Sequence, residues 1–230
     1  MTAPTRAPTI TPMRWSEATI HVIDFEGHPG YGVIEYGVAT VRGGTVAAAA
    51  TRVCRPTGTI RESDSRVHGL FGHDTAGHAH FSEDYGQFVD WRRTGVFAAH
   101  NKSVEHGLLK HTWAYPPFVP DWWSPGQESA NWGPWIDTLR LYQTLYPGLE
   151  SHSLGALVER FALGASLAAT AREHCPPRRR QAHCALYDAL ASALLLNRLL
   201  TVPEAAEATL TALLRWSGET PPPEPGLFGD

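Results

Sequence analysis

Short apolar runs separated by glycine-rich turns dominate the first quarter of the chain. Residues 19–25 (TIHVIDF) are rich in β-branched side chains and predict a buried strand. A glycine-containing turn follows, and residues 32–41 predict a second strand. Arg42-Gly43-Gly44 is typical of a tight hairpin leading into a third strand over residues 45–54. The chain is therefore expected to open with an antiparallel three-strand meander.

Helical spacing replaces this pattern further along the chain. Residues 82–93 predict a helix whose packed face carries Tyr85, Phe88, Val89 and Arg92. A short buried strand is expected at residues 95–99, followed by Asn101 as the N-cap of a helix. The predicted helices after this strand cover residues 102–113, 138–146 with Asp137 as N-cap, 154–161 with Ser153 as N-cap, 182–200 and 203–216.

Hairpin strands followed by alternating helices and strands predict an α/β fold with a mixed β-sheet flanked by α-helices. Residues 114–135 interrupt this alternation, because they contain five prolines, two glycines and four tryptophans. We expect an irregular excursion there. Its tryptophans could stack on nucleobases, but they more commonly pin such a loop onto the body of the domain.

Composition agrees with one globular domain. The 230 residues are 43% apolar and 18% charged, with a formal net charge of −4, which argues against a polycation that coats duplex DNA. Three widely spaced cysteines suit a reducing compartment, and no apolar run is long enough for a membrane span. We expect a soluble, cytoplasmic protein with a domain at 18–217 between flexible tails at 1–17 and 218–230.

Two carboxylates lie near the end of the first predicted strand. Asp24 and Glu26 are two residues apart, so their side chains point to the same face of the sheet. Like charges so placed repel each other unless a cation lies between them. A solvated strand end is the simpler interpretation, but Asp24 ends an otherwise apolar strand where α/β sheets place their sites.

Three further groups extend this acidic pattern. Glu105 falls in the first turn of the helix after His100-Asn101, where it would also stabilise the helix dipole. Asp188 is a lone charge within an apolar helix and needs a partner or a metal, and His183 lies near the start of that helix.

The order Asp-x-Glu, His-Asn-x-x-x-Glu and His-x-x-x-x-Asp resembles the DnaQ-like 3′–5′ exonucleases over residues 20–200. The phrases VIEYGVATV, VHGL and DTLRLYQTLYP reinforce the resemblance. His183 lies five positions before Asp188, which is similar to the histidine (DEDDh) branch, whereas the sister branch has tyrosine where Cys184 occurs here.

The resemblance implies an RNase H-like fold, two divalent cations (Mg²⁺ or Mn²⁺) and hydrolysis of phosphodiester bonds at 3′ ends. It implies that Asp24, Glu26, Glu105 and Asp188 hold the metals and that His183 is the general base. Carboxylate oxygens suit these hard cations, and a histidine can accept a proton from water near neutral pH. The sequence departs from the family pattern at Glu105, where the family has aspartate, and at Val104, where an aromatic residue is common.

Several residues are candidates for contact with a DNA or RNA 3′ end, expected to be single-stranded. Within VHGL, which matches a family segment beside the terminal nucleotide, Leu70 could wedge against the last bases, although an ordinary buried leucine is an equal alternative. Arginines before the histidine could bind phosphates, although a solvated charge run is the simpler interpretation. The substrate-binding candidates are Asn101, His68, Leu70, Arg178, Arg179 and Arg180.

Other functions stay open at this point. A non-catalytic nucleic-acid-binding protein could use the same fold. A zinc site built from His174-Cys175 and His183-Cys184 would need adjacent ligands to reach one ion, and Cys184 as a nucleophile would lack an oxyanion-forming glycine motif. Neither tail contains a Gln-led clamp-binding peptide, which favours a free-standing repair or turnover nuclease over a proofreading subunit. The sequence leaves the oligomeric state open.

Overall fold

The centre of the molecule is a five-stranded mixed sheet. A computed structural model describes residues 13–221. Its strands are β1 (Ile20–His28), β2 (Gly32–Arg42), β3 (Thr45–Val53), β4 (Val96–Ala99), β5 (Val119–Pro120), β6 (Glu128–Ser129) and β7 (Trp135–Asp137). The sheet has the order β3-β2-β1-β4-β7, while β5 and β6 form a separate antiparallel pair. β1 pairs antiparallel with β2 and parallel with β4, so the predicted mixed sheet is confirmed.

The predicted hairpin between β2 and β3 turns on two glycines. Gly43 and Gly44 both have positive φ, at 56° and 77°, which is the backbone that a tight two-residue turn requires. A Cβ atom at Gly44 would also come within 2.3 Å of a Leu200 methyl carbon. Glycine therefore satisfies both the turn and the packing at this position.

Helices cover both faces of the sheet. They are α1 (Glu62–His68), α2 (Gly72–Thr75), α3 (Tyr85–Thr94), α4 (Lys102–Thr112), α5 (Thr138–Leu145), α6 (Leu154–Arg160), α7 (Gly164–His174), α8 (Ala185–Arg198), α9 (Pro203–Ala206) and α10 (Leu210–Trp216). The chain segment predicted as one helix over 203–216 is two helices. It breaks before Thr209, whose hydroxyl accepts a hydrogen bond from the Ala212 amide and so begins α10.

Alternation along the strands separates two cores. Ile20 and Val22 of β1 pack with α8 in the larger core. Ile23 and Phe25 point to the opposite face and join an aromatic core with α3 and α4. Even-numbered residues of β1 therefore face α8, and this places Asp24 and Glu26 on the α8 side.

The tryptophan-rich excursion is pinned to the domain, as the structural interpretation of its tryptophans predicts. Arg92 is fully buried and donates hydrogen bonds to the carbonyls of Pro120, at 2.8 Å, and Gly133, at 2.6 Å. Trp132 is buried, and its indole N–H donates to the Trp113 carbonyl at 2.8 Å. The excursion is less irregular than expected, since it contains the β5–β6 pair and ends in the sheet strand β7.

Part of the predicted N-terminal tail belongs to the domain. Trp15 is fully buried, and its indole N–H donates to the Ala205 carbonyl at 2.6 Å. Glu219, predicted to lie in the C-terminal tail, forms an ion pair with Lys102. Residues 1–12 and 222–230 lie outside the described residues. In the described range, no single helix is long and apolar enough to cross a membrane. Helices α6 and α7 have the required length and apolar composition only when taken together, and the pair is bent by 119°.

Candidate active site

Two acidic side chains lie at the carboxyl end of β1. Asp24 and Glu26 are half-buried and face α8. Their partners across the antiparallel pair are Gly37 and Glu35, respectively. Directly opposed residues share a face of the sheet. A cluster of three carboxylates is thus built from two strands alone.

Glu105 comes from the first turn of α4, which packs against β1. The side chain is 4% exposed, and its Oε2 atom is buried without a hydrogen-bond partner among the described residues. Asn101 occupies the N-cap position with φ of 69° but forms no capping side-chain hydrogen bond. The Asp137 carboxylate instead accepts hydrogen bonds from the Asn101 and Lys102 amides.

Asp137 also begins the next helix, as predicted. Its Oδ1 atom accepts hydrogen bonds from the Leu139 and Arg140 amides, at 3.0 and 3.3 Å. One buried carboxylate therefore satisfies the starts of α4 and α5, which follow neighbouring strands. The predicted cap at Ser153 occupies its position without a side-chain hydrogen bond.

His183 and Asp188 come from the loop before α8 and from its first turn. His183 is exposed, with a left-handed φ of 60°, and lies outside the helix. Its amide donates to the Asp188 Oδ2 atom at 2.8 Å. Ligand atoms of His183, Asp188 and Glu26 all lie within 4.8 Å of one another. The loop conformation thus brings together two residues that a regular helix would point in different directions.

The carboxylates share one electrostatic environment. Burial, reinforced by the negative charges of Glu105, Asp188 and Glu26, raises the pKa of Asp24 well above its ordinary range. Burial and the charge of Asp188 raise the pKa of Glu26 to about 8. Burial raises the pKa of Asp188 to about 6 and that of Glu105 well above its usual range. Without a cation, this cluster favours protonated carboxyl groups.

The carboxylates of this site fit a divalent cation. The orphaned Oε2 atom of Glu105 lacks the partner that a buried carboxylate requires. Hard cations such as Mg²⁺ and Mn²⁺ take oxygen ligands, and four carboxylates converge here from β1, α4 and α8. A cation would neutralise the repulsion that raises the pKa values of these groups.

Two residues of β2 that the sequence analysis did not single out shape this site. Glu35 is 2% exposed, and its carboxylate accepts hydrogen bonds from Arg179 and the Ala185 amide. Gly37 lies against the first turn of α8, where a Cβ atom would come within 2.2 Å of the Leu186 backbone. The phrase VIEYGVATV contains both residues. A charged residue and a glycine inside a predicted buried strand were the signal by which the sequence could have identified them.

The substrate-binding candidates divide into free and engaged side chains. Arg178 is exposed. Arg179 contacts Glu35 and the His68 carbonyl, and Arg180 donates to the carbonyls of Cys175 and Arg172. The Arg179 side chain is therefore held by Glu35 and His68, whereas Arg180 is exposed and bonds to backbone carbonyls on the protein surface.

Two side chains of the VHGL segment, His68 and Leu70, are buried. His68 is 3% exposed, and its Nδ1 atom accepts a hydrogen bond from the Leu70 amide. Leu70 is 6% exposed and packs with Tyr31 and Ile34 in a small separate core. In this structure Leu70 is a packing residue, and the exposed apolar side chains beside it are Val67 and Phe71.

A cavity of about 400 Å³ opens beside His183 and Asp188. Its remaining wall comes from α6, α7 and α8, including Leu154, Val158 and Tyr187. His183 before α8 and Asp188 on α8 are therefore accessible from this side of the molecule.

The metal-free protein is expected to lose thermal stability as the pH rises from about 5 to about 9. Folding raises the pKa of Asp188 to about 6 and that of Glu26 to about 8, so the folded state holds protons that unfolding releases. This contribution is complete below the ordinary carboxyl pKa, near ~4, and disappears as the pH passes through the raised values. Thermal unfolding in EDTA should show a fall in Tm of several degrees, and Mn²⁺ at high pH should reverse it. A Tm that rises with pH over this range argues against the electrostatic assignment.

Comparisons with known proteins identify the fold. No protein-family model and no curated protein matches the sequence. Exonuclease X in complex with 5′-overhanging duplex DNA is similar at a TM-score of 0.61 and 20% identity, over 86% of this chain and 99% of that one. The nuclease domain of 3′hExo, a DEDDh family member bound to rAMP, gives 0.54 and 14%, over 82% of this chain and 94% of that one.

A third similar structure is the zinc-bound E. coli ExoI–ssDNA complex, with a TM-score of 0.57 and 13% identity. The similarity covers 83% of this chain and 42% of that one, so this chain matches less than half of that larger protein. At these identities the likeness concerns the fold, which is that of DnaQ-like exonucleases. The RNase H-like architecture expected from the sequence is confirmed.

Proposed function

We propose that this protein is a metal-dependent 3′–5′ exonuclease that hydrolyses the terminal phosphodiester bond of a nucleic acid. The observation that carries the proposal is the assembly of Asp24, Glu26, Glu105 and Asp188 at one sheet edge with His183 beside them. These groups come from three separate parts of the sequence, and in the solved exonucleases above the same fold carries nuclease activity. A likeness of fold alone would not specify activity, but the retained chemical groups do support it.

The four carboxylates would hold two divalent cations. Asp24 and Glu26 offer oxygens from a rigid strand, Glu105 offers its unpartnered Oε2 atom, and Asp188 keeps one oxygen beyond the Oδ2 that accepts the His183 amide. When bound, two such cations would activate water and neutralise charge that develops on the attacking and leaving oxygens.

His183 would act as the general base. Its imidazole is exposed on a loop, held at the edge of the carboxylate cluster by the backbone hydrogen bond to Asp188. In that position the imidazole can take a proton from the attacking water. The water oxygen bonds to phosphorus, and the bond from phosphorus to the 3′-oxygen of the penultimate nucleotide breaks. That oxygen takes up a proton to become the new 3′-hydroxyl, and a 5′-mononucleotide leaves.

The substrate proposed is a single-stranded DNA or RNA 3′ end. Relatives in fold were solved with duplex DNA carrying a 5′ overhang, with single-stranded DNA and with rAMP. Arg178, whose side chain is exposed one turn before the histidine loop, is placed to contact backbone phosphates. Asn101 has an exposed side chain at the start of α4 and can reach a sugar or phosphate oxygen.

Matched labelled DNA and RNA oligomers test the proposal. With a 5′ label, a 3′–5′ exonuclease yields a ladder of shortened products, and EDTA should abolish it. Mn²⁺ should support faster cleavage than Mg²⁺, because the longer side chain of Glu105 holds geometry less tightly and Mg²⁺ is strict about octahedral geometry. An inert protein that still binds the oligomers would favour the non-catalytic alternative. Cleavage that persists in chelator would exclude the two-metal mechanism.

A further inference from the structure

A buried ion pair lies directly behind the candidate active site. Glu35 is 2% exposed on β2, and Arg179 lies in the 3₁₀ turn Pro177–Arg179 before the histidine loop. The Arg179 Nε atom donates to Glu35 Oε1 at 2.9 Å, and its Nη2 atom pairs with Glu35 Oε2. The two side chains thus form a bidentate contact across 144 residues of sequence.

The pair reaches two further segments. The Arg179 Nη1 atom donates to the His68 carbonyl at 2.7 Å, at the end of α1. The Ala185 amide, at the start of α8, donates to Glu35 Oε2 at 3.1 Å. One guanidinium and one carboxylate therefore join β2, the VHGL segment and the first turn of α8.

This network borders both sides of the catalytic candidates. Glu35 is the cross-strand partner of Glu26 on the face toward α8. Ala185 lies two residues after His183, whose own amide is bound by Asp188. Asp188 thus holds the His183 amide, and Glu35 holds the Ala185 amide two residues later.

The hydrogen bonds made by Glu35 distinguish it from the four candidate metal ligands. Both of its oxygens already accept donors, from Arg179 and from the Ala185 amide. Glu105, by contrast, keeps a buried oxygen without a partner. Both carboxylate oxygens of Glu35 are therefore used in structural hydrogen bonds, whereas Glu105 has an oxygen free to bind a metal.

We infer that Arg179 and Glu35 are positioning residues, which hold the histidine loop and the start of α8 against β2, and that Arg179 does not bind substrate phosphates. The inference rests on the proposed function for its kinetic consequences only. Without the pair, the backbone at Ala185, two residues after His183, loses an anchor, and a misplacement of about 1 Å in an active site costs about 10²-fold in rate.

The kinetic test compares neighbouring arginines. Arg179→Met keeps most of the side-chain volume but removes the charge and the donors, and should lower kcat about 10²-fold while the Kd for a labelled oligomer in Ca²⁺ changes less than about twofold. Arg179→Lys keeps the charge with a single-point donor and should recover part of the rate. Arg178→Met, at a proposed phosphate contact, should instead raise the Kd. Arg172→Met, on the exposed face of α7, should match the parent in both.

Hydrogen exchange tests the same inference without any nuclease assay. The amides of residues 183–186 should exchange faster in Arg179→Met and in Glu35→Gln, and at the parental rate in Arg172→Met. Glu35→Gln preserves the shape of the side chain, so it provides the measurement if Arg179→Met does not fold. A parent protein without nuclease activity would defeat the proposed function, and the exchange rates would still decide the role of this pair. Parental exchange together with a raised Kd in Arg179→Met would make Arg179 a phosphate contact and overturn the inference.

Discussion

Asp24→Asn is expected to abolish cleavage of nucleic acid while raising the thermal stability of the metal-free protein. Asp24 is the carboxylate on which the charges of Glu105, Asp188 and Glu26 all act, and these charges help to raise its pKa. Removing its charge removes a metal ligand, so activity should fall at least about 10³-fold, more than the upper cost of one lost active-site hydrogen-bond donor. The same change relieves repulsion, so Tm in EDTA should rise by several degrees.

Because the cleavage rate should fall while Tm rises, the loss of activity cannot be attributed to unfolding. Asp90→Asn, an exposed carboxylate on α3, is the matched control and should leave both the rate and the metal-induced increase in Tm unchanged. Asp24→Asn should lose that metal-induced increase. A folded variant that keeps its rate would remove Asp24 from the proposed metal site, and a variant that unfolds would contradict the expected rise in Tm.

His183→Asn is expected to lower the rate by about 10²–10⁴-fold, the usual worth of a general base. Asparagine is the suitable replacement because it tolerates the left-handed backbone that His183 adopts, with φ of 60°. The side chain is exposed, so stability should change little. Rates under single-turnover conditions, measured from pH 6 to 9, report the loss.

Metal binding distinguishes the two roles open to this histidine. Ligand atoms of His183 lie within 4.8 Å of those of Glu26 and Asp188, a distance that would also suit a metal ligand. As a base, His183 can be replaced without changing the increase in Tm produced by Mn²⁺. If His183→Asn loses that increase, the histidine is a ligand and another group takes the proton. His111→Asn, on the exposed face of α4, controls for the loss of an imidazole.

Local signals predicted many of the strands and helices. The meander follows from β-branched runs and the Gly43-Gly44 turn, and the start of α5 follows from Asp137, because these features depend on neighbours in sequence. The spacing of the acidic motifs was equally local, and the structure brings Glu26, His183 and Asp188 together.

Contacts between residues distant in sequence could not be predicted from these local signals. Three consecutive arginines look alike in sequence, yet Arg179 pairs with Glu35 on a strand 144 residues away while Arg178 is exposed. The short strand β7 was not predicted, because its three residues carry a strand signal only beside β4. Helices α1 and α7 were not predicted either, since neither shows a strong apolar stripe.

The contact between Trp15 and α9 has a consequence for how the chain folds. The indole N–H of Trp15 bonds to the Ala205 carbonyl 190 residues later, and Leu210 donates its amide to the Met13 carbonyl. Closing so long a loop carries an entropic cost that is repaid only after the intervening sheet has formed. During synthesis on the ribosome, Trp15 is made 190 residues before Ala205 and must wait for nearly the whole domain to emerge. Until then its indole remains an exposed apolar surface to which chaperones can bind.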